Sequence, residues 1–473
     1  MRRAGRAPPT QGRDMKAFPR TLDGARVTVM GLGRFGGGLG VTKWLCAQGA
    51  RVLLTDRADE AALAAPLEQL AGERTSGRVE LRLGRHEAAD FAGADLVIAN
   101  PAVPKPWEDP FLAAARGAGT PVTTEIRLAV DRLDRDRTVG ITGSAGKSST
   151  STMVHLVLDE PAGAARLGGN IGGSLLGASG PAGQWTVLEL SSAMLWWLGE
   201  GAALAGQQPW SPRVAVLTNL APNHVDWHGT VAHYGRSKGA IRAGQRPGDA
   251  FVTLFDREQP EAAAECARAC GAWWAGAALP SDGELDALLS SIDLPEVPGE
   301  HQRRNARLAV LAAEAALHGA GERVDRAALV ARLARFRALP HRLQYVGTHR
   351  GMRCYNDSKS TTPDATLLAV AAFPEPARIH LIVGGSDKQV DLSQVRDLAP
   401  RLAGLYAIGA TAGQLAPAPP AIDCGTLEAA VRAAAGRARD GDVLLLSPAC
   451  ASFGQFRNYE HRGEAFTDLV RTL

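Results

Sequence analysis

The sequence of 473 residues predicts an α/β protein made of parallel sheets in three successive blocks. Two observations carry the prediction. Short β-branched runs alternate with Ala/Leu-rich stretches of helical period along the whole chain, the pattern of consecutive strand–helix units. Glycine-rich turns follow several of these runs, where a parallel sheet presents its strand ends. Length alone allows two to four domains of about 100–200 residues each. The reading is three Rossmann-like α/β domains at 21–128, 129–338 and 339–473, behind a basic tail at 1–20.

In the first block, strands are expected near Arg26–Met30, Arg51–Thr55, Asp95–Ala99 and Pro121–Thr124. The second opens with the run Thr138–Thr142 and includes Trp185–Leu190, Val214–Thr218 and Ala250–Leu254. Its end, 271–299, reads as loops and short elements. The third starts near Leu339-Pro340-His341-Arg342, with strands at Ile379–Val383, Leu405–Ile408 and Val443–Leu446.

Composition excludes several classes. Apolar content of 45% and charged content of 21% are those of an ordinary globular chain. No apolar run reaches the ~18–20 residues that span a bilayer. The basic N-terminus has no apolar stretch after it, so it is not a secretory signal. Formal charge is +3, of which residues 1–20 supply +5, leaving about −2 and no electrostatic footprint for nucleic acid. The tail is expected to be disordered, with Met15 an alternative start. Six scattered cysteines point to reduced thiols in the cytoplasm. Cys266 and Cys270 stand four apart, but no second Cys/His pair follows, so incidental thiols are favoured over a metal site.

The motif richest in chemistry is Gly143-Ser144-Ala-Gly146-Lys147-Ser148-Ser149, between a β-branched run and a helix carrying Met153, Leu156 and Val157 on one face. Free N–H groups at a helix start point at an anion, and glycines let the backbone come close. Lys147 adds a point charge for outer phosphates and Ser148 a hydroxyl for Mg²⁺. The loop is shorter than the commonest phosphate loop: Gly140 and Gly146 enclose five residues instead of four. In the first block, Gly31-Leu-Gly33-Arg34-Phe35-Gly36 with Asp56 some twenty residues on reads as a dinucleotide fingerprint. The physics requires only a nucleotide-like phosphate there, and a ligand-free glycine turn is the plain alternative. Glu189 closes one strand of the second block; His224 and Lys238 follow another. Glu189 and His224 are candidate Mg²⁺ ligands or their supports, since hard cations take oxygen ligands; a solvated Glu and a surface His are the alternatives. The third block ends three runs in Asn356-Asp357-Ser358-Lys359-Ser360-Thr361, Gly384-Gly385-Ser-Asp-Lys388 and Ser447-Pro-Ala-Cys450-Ala-Ser452. Such loops suit an anionic ligand.

Taken in order, these segments resemble the Mur ligases, from about residue 22 to the end. The motifs carrying the resemblance are Ile-Thr-Gly-Ser-Ala-Gly-Lys-Ser at 141–148, Gly-Gly-Asn-Ile-Gly at 168–172, Leu-Glu-Leu-Ser-Ser at 188–192, His-Val-Asp-Trp-His at 224–228 and Leu-Pro-His-Arg at 339–342, together with the three loops above. The segments at 356–359 and 447–452 are similar to the branch that adds glutamate. The resemblance implies an ATP-dependent ligase of peptidoglycan synthesis, with the middle block a P-loop-type ATP-binding domain and an acyl phosphate as intermediate. It implies that Lys147, Glu189, His224 and Lys238 are catalytic. Ser148, Glu189, His224 and Lys238 would hold two Mg²⁺ ions, with Lys238 carbamylated. Gly143, Ser144, Gly146, Lys147, Ser148, Ser149, Asn305, Arg342 and Asp357 would contact ATP. Gly33, Arg34, Phe35, Asp56, Arg57, Asn170 and Ser191 would contact the UDP-sugar substrate. Lys359, Thr361, Lys388, Ser452 and Tyr459 would surround glutamate. A cytoplasmic monomer without nucleic-acid or membrane partners is expected. Departures from the family pattern are Ala145 for Asn, Ala193-Met194 for Phe-Gln, Gln302 for Asn, Tyr459 for Phe, and the extra glycines 36–38. Open alternatives are L-glutamate as the amino acid, another ligase of the superfamily, and a non-catalytic nucleotide-binding homologue.

Overall fold

The computed structural model describes residues 18–32, 37–178, 180–274, 283–292, 299–387 and 390–473. They form two compact units, Met1–Asp282 with Leu308–Arg326, and Gly283–Arg307 with Ala327–Leu473.

The first unit holds two parallel sheets. One comprises β1 (Arg26–Met30), β2 (Arg51–Asp56), β3 (Val79–Leu83), β4 (Leu96–Ala99) and β5 (Val122–Thr123), in the order β3-β2-β1-β4-β5. The other comprises β6 (Thr138–Thr142), β7 (Ala165–Gly169), β8 (Trp185–Glu189), β9 (Val214–Leu217) and β10 (Ala250–Thr253), in the order β10-β9-β6-β8-β7. β6, β8 and β9 are buried at every residue, because helices cover both faces of a parallel sheet. Their strand ends set the phosphate loop, Glu189 and the segment leading to His224 along one edge, where α/β sheets bind ligands. Side-chain caps start the helices that follow. Ser191 Oγ accepts from Met194 N at 3.2 Å, and Thr230 Oγ1 accepts from His233 N at 3.1 Å. Met30, Phe91 and Leu112 from around the first sheet pack with Trp196, Trp197 and Trp227 in one apolar cluster, so the two sheets share a core.

The second unit contains β11 (Gln344–His349), β12 (Met352–Asn356), β13 (Ile379–Gly384), β14 (Gly404–Ile408), β15 (Ala421–Gly425) and β16 (Val443–Leu446). Their order is β11-β12-β16-β13-β14-β15, with only β11 antiparallel to its neighbour. The expected loops follow β12, β13 and β16. Among the described residues, no helix is long and apolar enough to cross a membrane. All six cysteines are free. Cys266 Sγ donates to Leu220 O and Cys270 Sγ to Cys266 O, so this pair packs locally.

Candidate active site

The phosphate loop follows β6. Gly143 lies at φ +150°, and a Cβ there would collide with Thr218 Oγ1 and stand 3.1 Å from Asn219 O. Gly146, at φ +79°, is the N-cap of the helix Lys147–Leu158. Both positions favour glycine. Lys147 Nζ folds back over the loop, donating to Gly143 O at 3.0 Å and Ser144 O at 3.2 Å. Ser148 is buried in the first helical turn and Ser149 half-buried. Ser144 Oγ accepts from Ala221 N and stands 2.8 Å from Tyr234 Oη. Ala145, which departs from the family pattern, is held through its backbone: its N–H donates to Asn219 Oδ1 at 2.9 Å, and its carbonyl accepts from Thr218 Oγ1 at 2.5 Å.

Lys238, on the helix Val231–Ala243, reaches the same turn. Its side chain is buried, and Nζ donates to Thr142 Oγ1 at 3.2 Å and Gly143 O at 2.9 Å. Burial, followed by the charge of Lys147, holds this amine well below the ordinary lysine range, against an opposing pull from Glu189. Glu189 is 1% exposed. Its Oε1 accepts from Asn170 Nδ2 at 2.7 Å, while Oε2 is buried with no hydrogen-bond partner. A buried carboxylate oxygen in that state fits a hard cation that takes few protein ligands and completes its shell with phosphate oxygens. Among the described residues, no three His, Cys, Asp or Glu side chains converge as a metal cluster. Further oxygens would have to come from Ser148, a carbamylated Lys238 or substrate. His224 opens the turn Val225–His228 at φ +50°. Though much of its surface is accessible, partial burial and the Lys238 and Lys147 charges favour its neutral, metal-binding form.

Between the two sheets of this unit lies a cavity of about 350 Å³. Asn170 and Ser191 line it, facing Gly31, Leu32 and the helix start Gly37-Gly38. Gly33, Arg34 and Phe35 lie outside the described residues. Asp56 and Arg57 are not in its described lining. Asp56 Oδ2 accepts from Leu32 N, just past β1, and its Oδ1 from Ala58 N, two residues on, each at 2.9 Å. Polar wall residues that escaped the sequence reading include Asn100 and Glu125. Glu125 Oε1 accepts from Ser174 Oγ at 2.5 Å, and burial raises its carboxyl above the ordinary range. Neither belongs to a recognisable motif.

In the second unit, Asp357 is buried; its Oδ1 accepts from Leu343 N at 3.1 Å and its Oδ2 from Ser447 Oγ at 2.8 Å. Burial pushes its carboxyl up to about 6, against these hydrogen bonds and the nearby Arg342. Arg342 and Lys359 are exposed, and Lys359 Nζ stands 5.3 Å from the Tyr459 ring centroid. Burial, then Glu460, pushes the Tyr459 hydroxyl up to about 12. Ser452 is buried after β16, and Thr361 is half-buried before the helix Pro363–Val370. Lys388 lies outside the described residues. Asn305 is buried within the same unit, where its Nδ2 donates to Gln302 Oε1 at 3.0 Å. Arg462, which the sequence reading passed over, joins two of the loops. It is fully buried, donating from Nε to Ser358 Oγ (3.0 Å), from Nη2 to Ser358 O (2.9 Å) and from Nη1 to Cys450 O (3.1 Å).

Three family models match the chain: the Mur ligase MurD-like N-terminal domain over residues 25–124, the Mur ligase middle domain over 141–277, and the Mur ligase glutamate ligase domain over 341–450. A UDP-N-acetylmuramoylalanine--D-glutamate ligase of Anaeromyxobacter dehalogenans is 38% identical, across 95% of this chain and 98% of the relative. Its counterpart in Solibacter usitatus is 36% identical, across 96% and 99%. Among solved structures, UDP-N-acetylmuramate-alanine ligase from Thermotoga maritima aligns with 95% of this chain and 99% of its own, at 17% identity and a TM-score of 0.55, a likeness of fold. The phosphate-loop and strand-end architecture and the near full-length identity agree: this chain belongs to the Mur ligase family.

Proposed function

We propose that this chain joins D-glutamate to UDP-N-acetylmuramoyl-L-alanine, cleaving ATP to ADP and phosphate, as a step of peptidoglycan synthesis. The observation that carries the reading is the meeting of Lys147, Lys238 and a Glu189 carboxylate with one unpartnered oxygen at a single sheet edge. The substrate carboxylate is a poor electrophile. One of its oxygens attacks the γ-phosphorus, the bond to ADP breaks, and an acyl phosphate results. The glutamate amine then attacks the acyl carbon, phosphate leaves, and the amine loses its proton. Little covalent chemistry is asked of the protein, so positioning and charge neutralisation dominate.

In this reading Gly143, Ser144, Gly146, Lys147, Ser148 and Ser149 cradle the phosphates, and Asn305, Arg342 and Asp357 contact the rest of ATP. Mg²⁺, in two ions, supplies charge neutralisation on the phosphates when bound; Ser148, Glu189, His224 and Lys238 are the residues to hold it. A buried Lys238, whose charged form burial disfavours, is suited to take up CO₂ as a carbamate, releasing a proton. Asn170 and Ser191, with Gly33, Arg34, Phe35, Asp56 and Arg57, hold the UDP-sugar, and Lys359, Thr361, Lys388, Ser452 and Tyr459 receive glutamate. The domain limits are taken as 21–128, 129–338 and 339–473, in a cytoplasmic monomer that acts on small molecules without nucleic-acid or membrane partners. The test is phosphate release by the purified chain, expected only with ATP, UDP-N-acetylmuramoyl-L-alanine and D-glutamate together. Equal or faster release with L-glutamate overturns the assignment of chirality.

A further inference from the structure

His228 belongs to no role assigned above, yet it is a buried imidazole, 3% exposed, packed against Tyr234, whose hydroxyl meets Ser144 of the phosphate loop. Its Nε2 lies 2.9 Å from Ser192 Oγ, and its Nδ1 lies 2.9 Å from His233 Nδ1 and 3.5 Å from Ser237 Oγ. Its backbone N–H donates to His224 O at 2.9 Å, closing the turn that His224 opens. The ring thus ties its own turn to two further elements. Ser192 follows Glu189 by three residues, His233 and Ser237 lie on the helix of Lys238, and the turn itself carries His224. The turn is also pinned to the wall of the substrate cavity, because Trp227 Nε1 donates to Pro101 O at 3.1 Å.

We propose that His228 is a positioning residue that fixes Glu189, His224 and Lys238 relative to one another, through its bonds to Ser192 and His233. This rests on the ligase reading above. Two facing Nδ1 atoms allow one donor and one acceptor, so the row Ser192–His228–His233 carries its protons in one direction. A row so ordered sets ring orientation more sharply than apolar packing does. A support of this kind acts on metal affinity and on the chemical step, and leaves glutamate binding alone, because the glutamate loops belong to the other compact unit.

The experiment uses the full chain with Ser192→Ala and His228→Gln, the first removing one bond and the second replacing the ring by a flexible amide. Each is expected to lower kcat and to raise the Mg²⁺ concentration for half-maximal turnover about tenfold to a hundredfold, the usual effect of losing a residue that orients metal ligands. The KM for glutamate should stay within about twofold. Calorimetry of ADP binding with and without Mg²⁺ gives a readout free of catalysis, and the gain in affinity from Mg²⁺ should shrink by a similar factor. Unchanged Mg²⁺ dependence in both assays, with the fold intact by circular dichroism, overturns the proposal; so does a parallel rise of all KM values with a lowered melting point. If His228→Gln fails to fold, Ser192→Ala carries the test. A parent chain that binds Mg²⁺-ADP but turns nothing over speaks against the ligase reading, while a Mg²⁺-specific loss in Ser192→Ala still supports the positioning role.

Discussion

Arg462 offers the sharpest test of how the second unit shapes its loops. Replacing it with Met keeps most of the stem and removes the guanidinium. Two carbonyls, Ser358 O and Cys450 O, then lose their donor, at about 1–3 kcal/mol each. Against this, a buried charge is released. Burial has already pushed this guanidinium down to about 10 from 12.5, a penalty of about 3 kcal/mol at 1.36 per unit. The net for Arg462→Met is therefore between about −1 and +3 kcal/mol of destabilisation. Arg462→Ala also loses stem packing, at about 0.8 kcal/mol per buried methylene, and should be worse than Met by about 2 kcal/mol. Function should respond more than stability. The guanidinium ties the segment of Lys359 and Thr361 to the segment of Ser452, so the glutamate KM should rise at least about tenfold in Arg462→Met, with the KM for the UDP-sugar unchanged. Scanning calorimetry of the intact chain and steady-state kinetics check both. A folded Arg462→Met with an unchanged glutamate KM would refute the positioning argument, and an Ala variant no less stable than Met would refute the energetic one.

Gly143→Ala should abolish ATP turnover while leaving the chain folded, because the new Cβ meets Thr218 Oγ1 at a φ of +150°; nucleotide binding by calorimetry checks it, and retained affinity within about threefold would count against the loop geometry. Asp357 links stability to pH. Its folded value of about 6 exceeds the ~3.9 of an exposed aspartate, so the folded state holds the proton longer. The stability it contributes is fully present below about pH 4 and falls as pH rises to about 6, by about 3 kcal/mol. Asp357→Asn should flatten that slope in a pH series of melting curves, and an unaltered slope would mean that the carboxyl titrates normally.

Much of the fold was legible because the central strands are continuous apolar runs buried on both faces. Thr138–Thr142, Val214–Leu217 and Ile379–Gly384 are of this kind. Most strands that sequence reasoning did not name lie at sheet edges; Met352–Asn356, between two neighbours, is the exception. Val79–Leu83, Ala165–Gly169, Gln344–His349 and Ala421–Gly425 each have a single neighbouring strand and mix polar residues or glycine into the run, so hydrophobic patterning is weak there. The site divides in the same way. Contiguous motifs such as 143–149 and 356–361 announce themselves, since spacing within a loop encodes their geometry. Arg462 does not; His228 ends the motif 224–228 but was given no role there; Glu125 lies in no motif. Their partners lie 104, 36 and 49 residues away in sequence, and only folding brings them together. Asp56 was legible from its place in the dinucleotide pattern, but its bonds to Leu32 N, 24 residues back, and to Ala58 N were not.

Lys238 shows why a lysine stands where a metal site would call for a carboxylate. Burial and Lys147 both disfavour its charged form, and its nearest bonded partners are a hydroxyl and a carbonyl instead of a carboxylate. A protonated amine there would oppose Lys147 in a low-dielectric setting; a neutral one is nucleophilic. Carbamylation changes the sign of the group. The like-charge opposition with Lys147 becomes an attraction, and the site acquires an oxygen donor suited to Mg²⁺ beside the unpartnered oxygen of Glu189. If Lys238 carries the proposed carbamate, which forms reversibly, activity should depend on dissolved CO₂. Turnover is expected to fall several-fold in buffer stripped of CO₂ and to return on adding bicarbonate, with Lys238→Ala inactive under both conditions. Turnover indifferent to bicarbonate over a long incubation, together with an unmodified Lys238 by native mass spectrometry, would leave the amine itself as the working group and remove the carbamate from the mechanism.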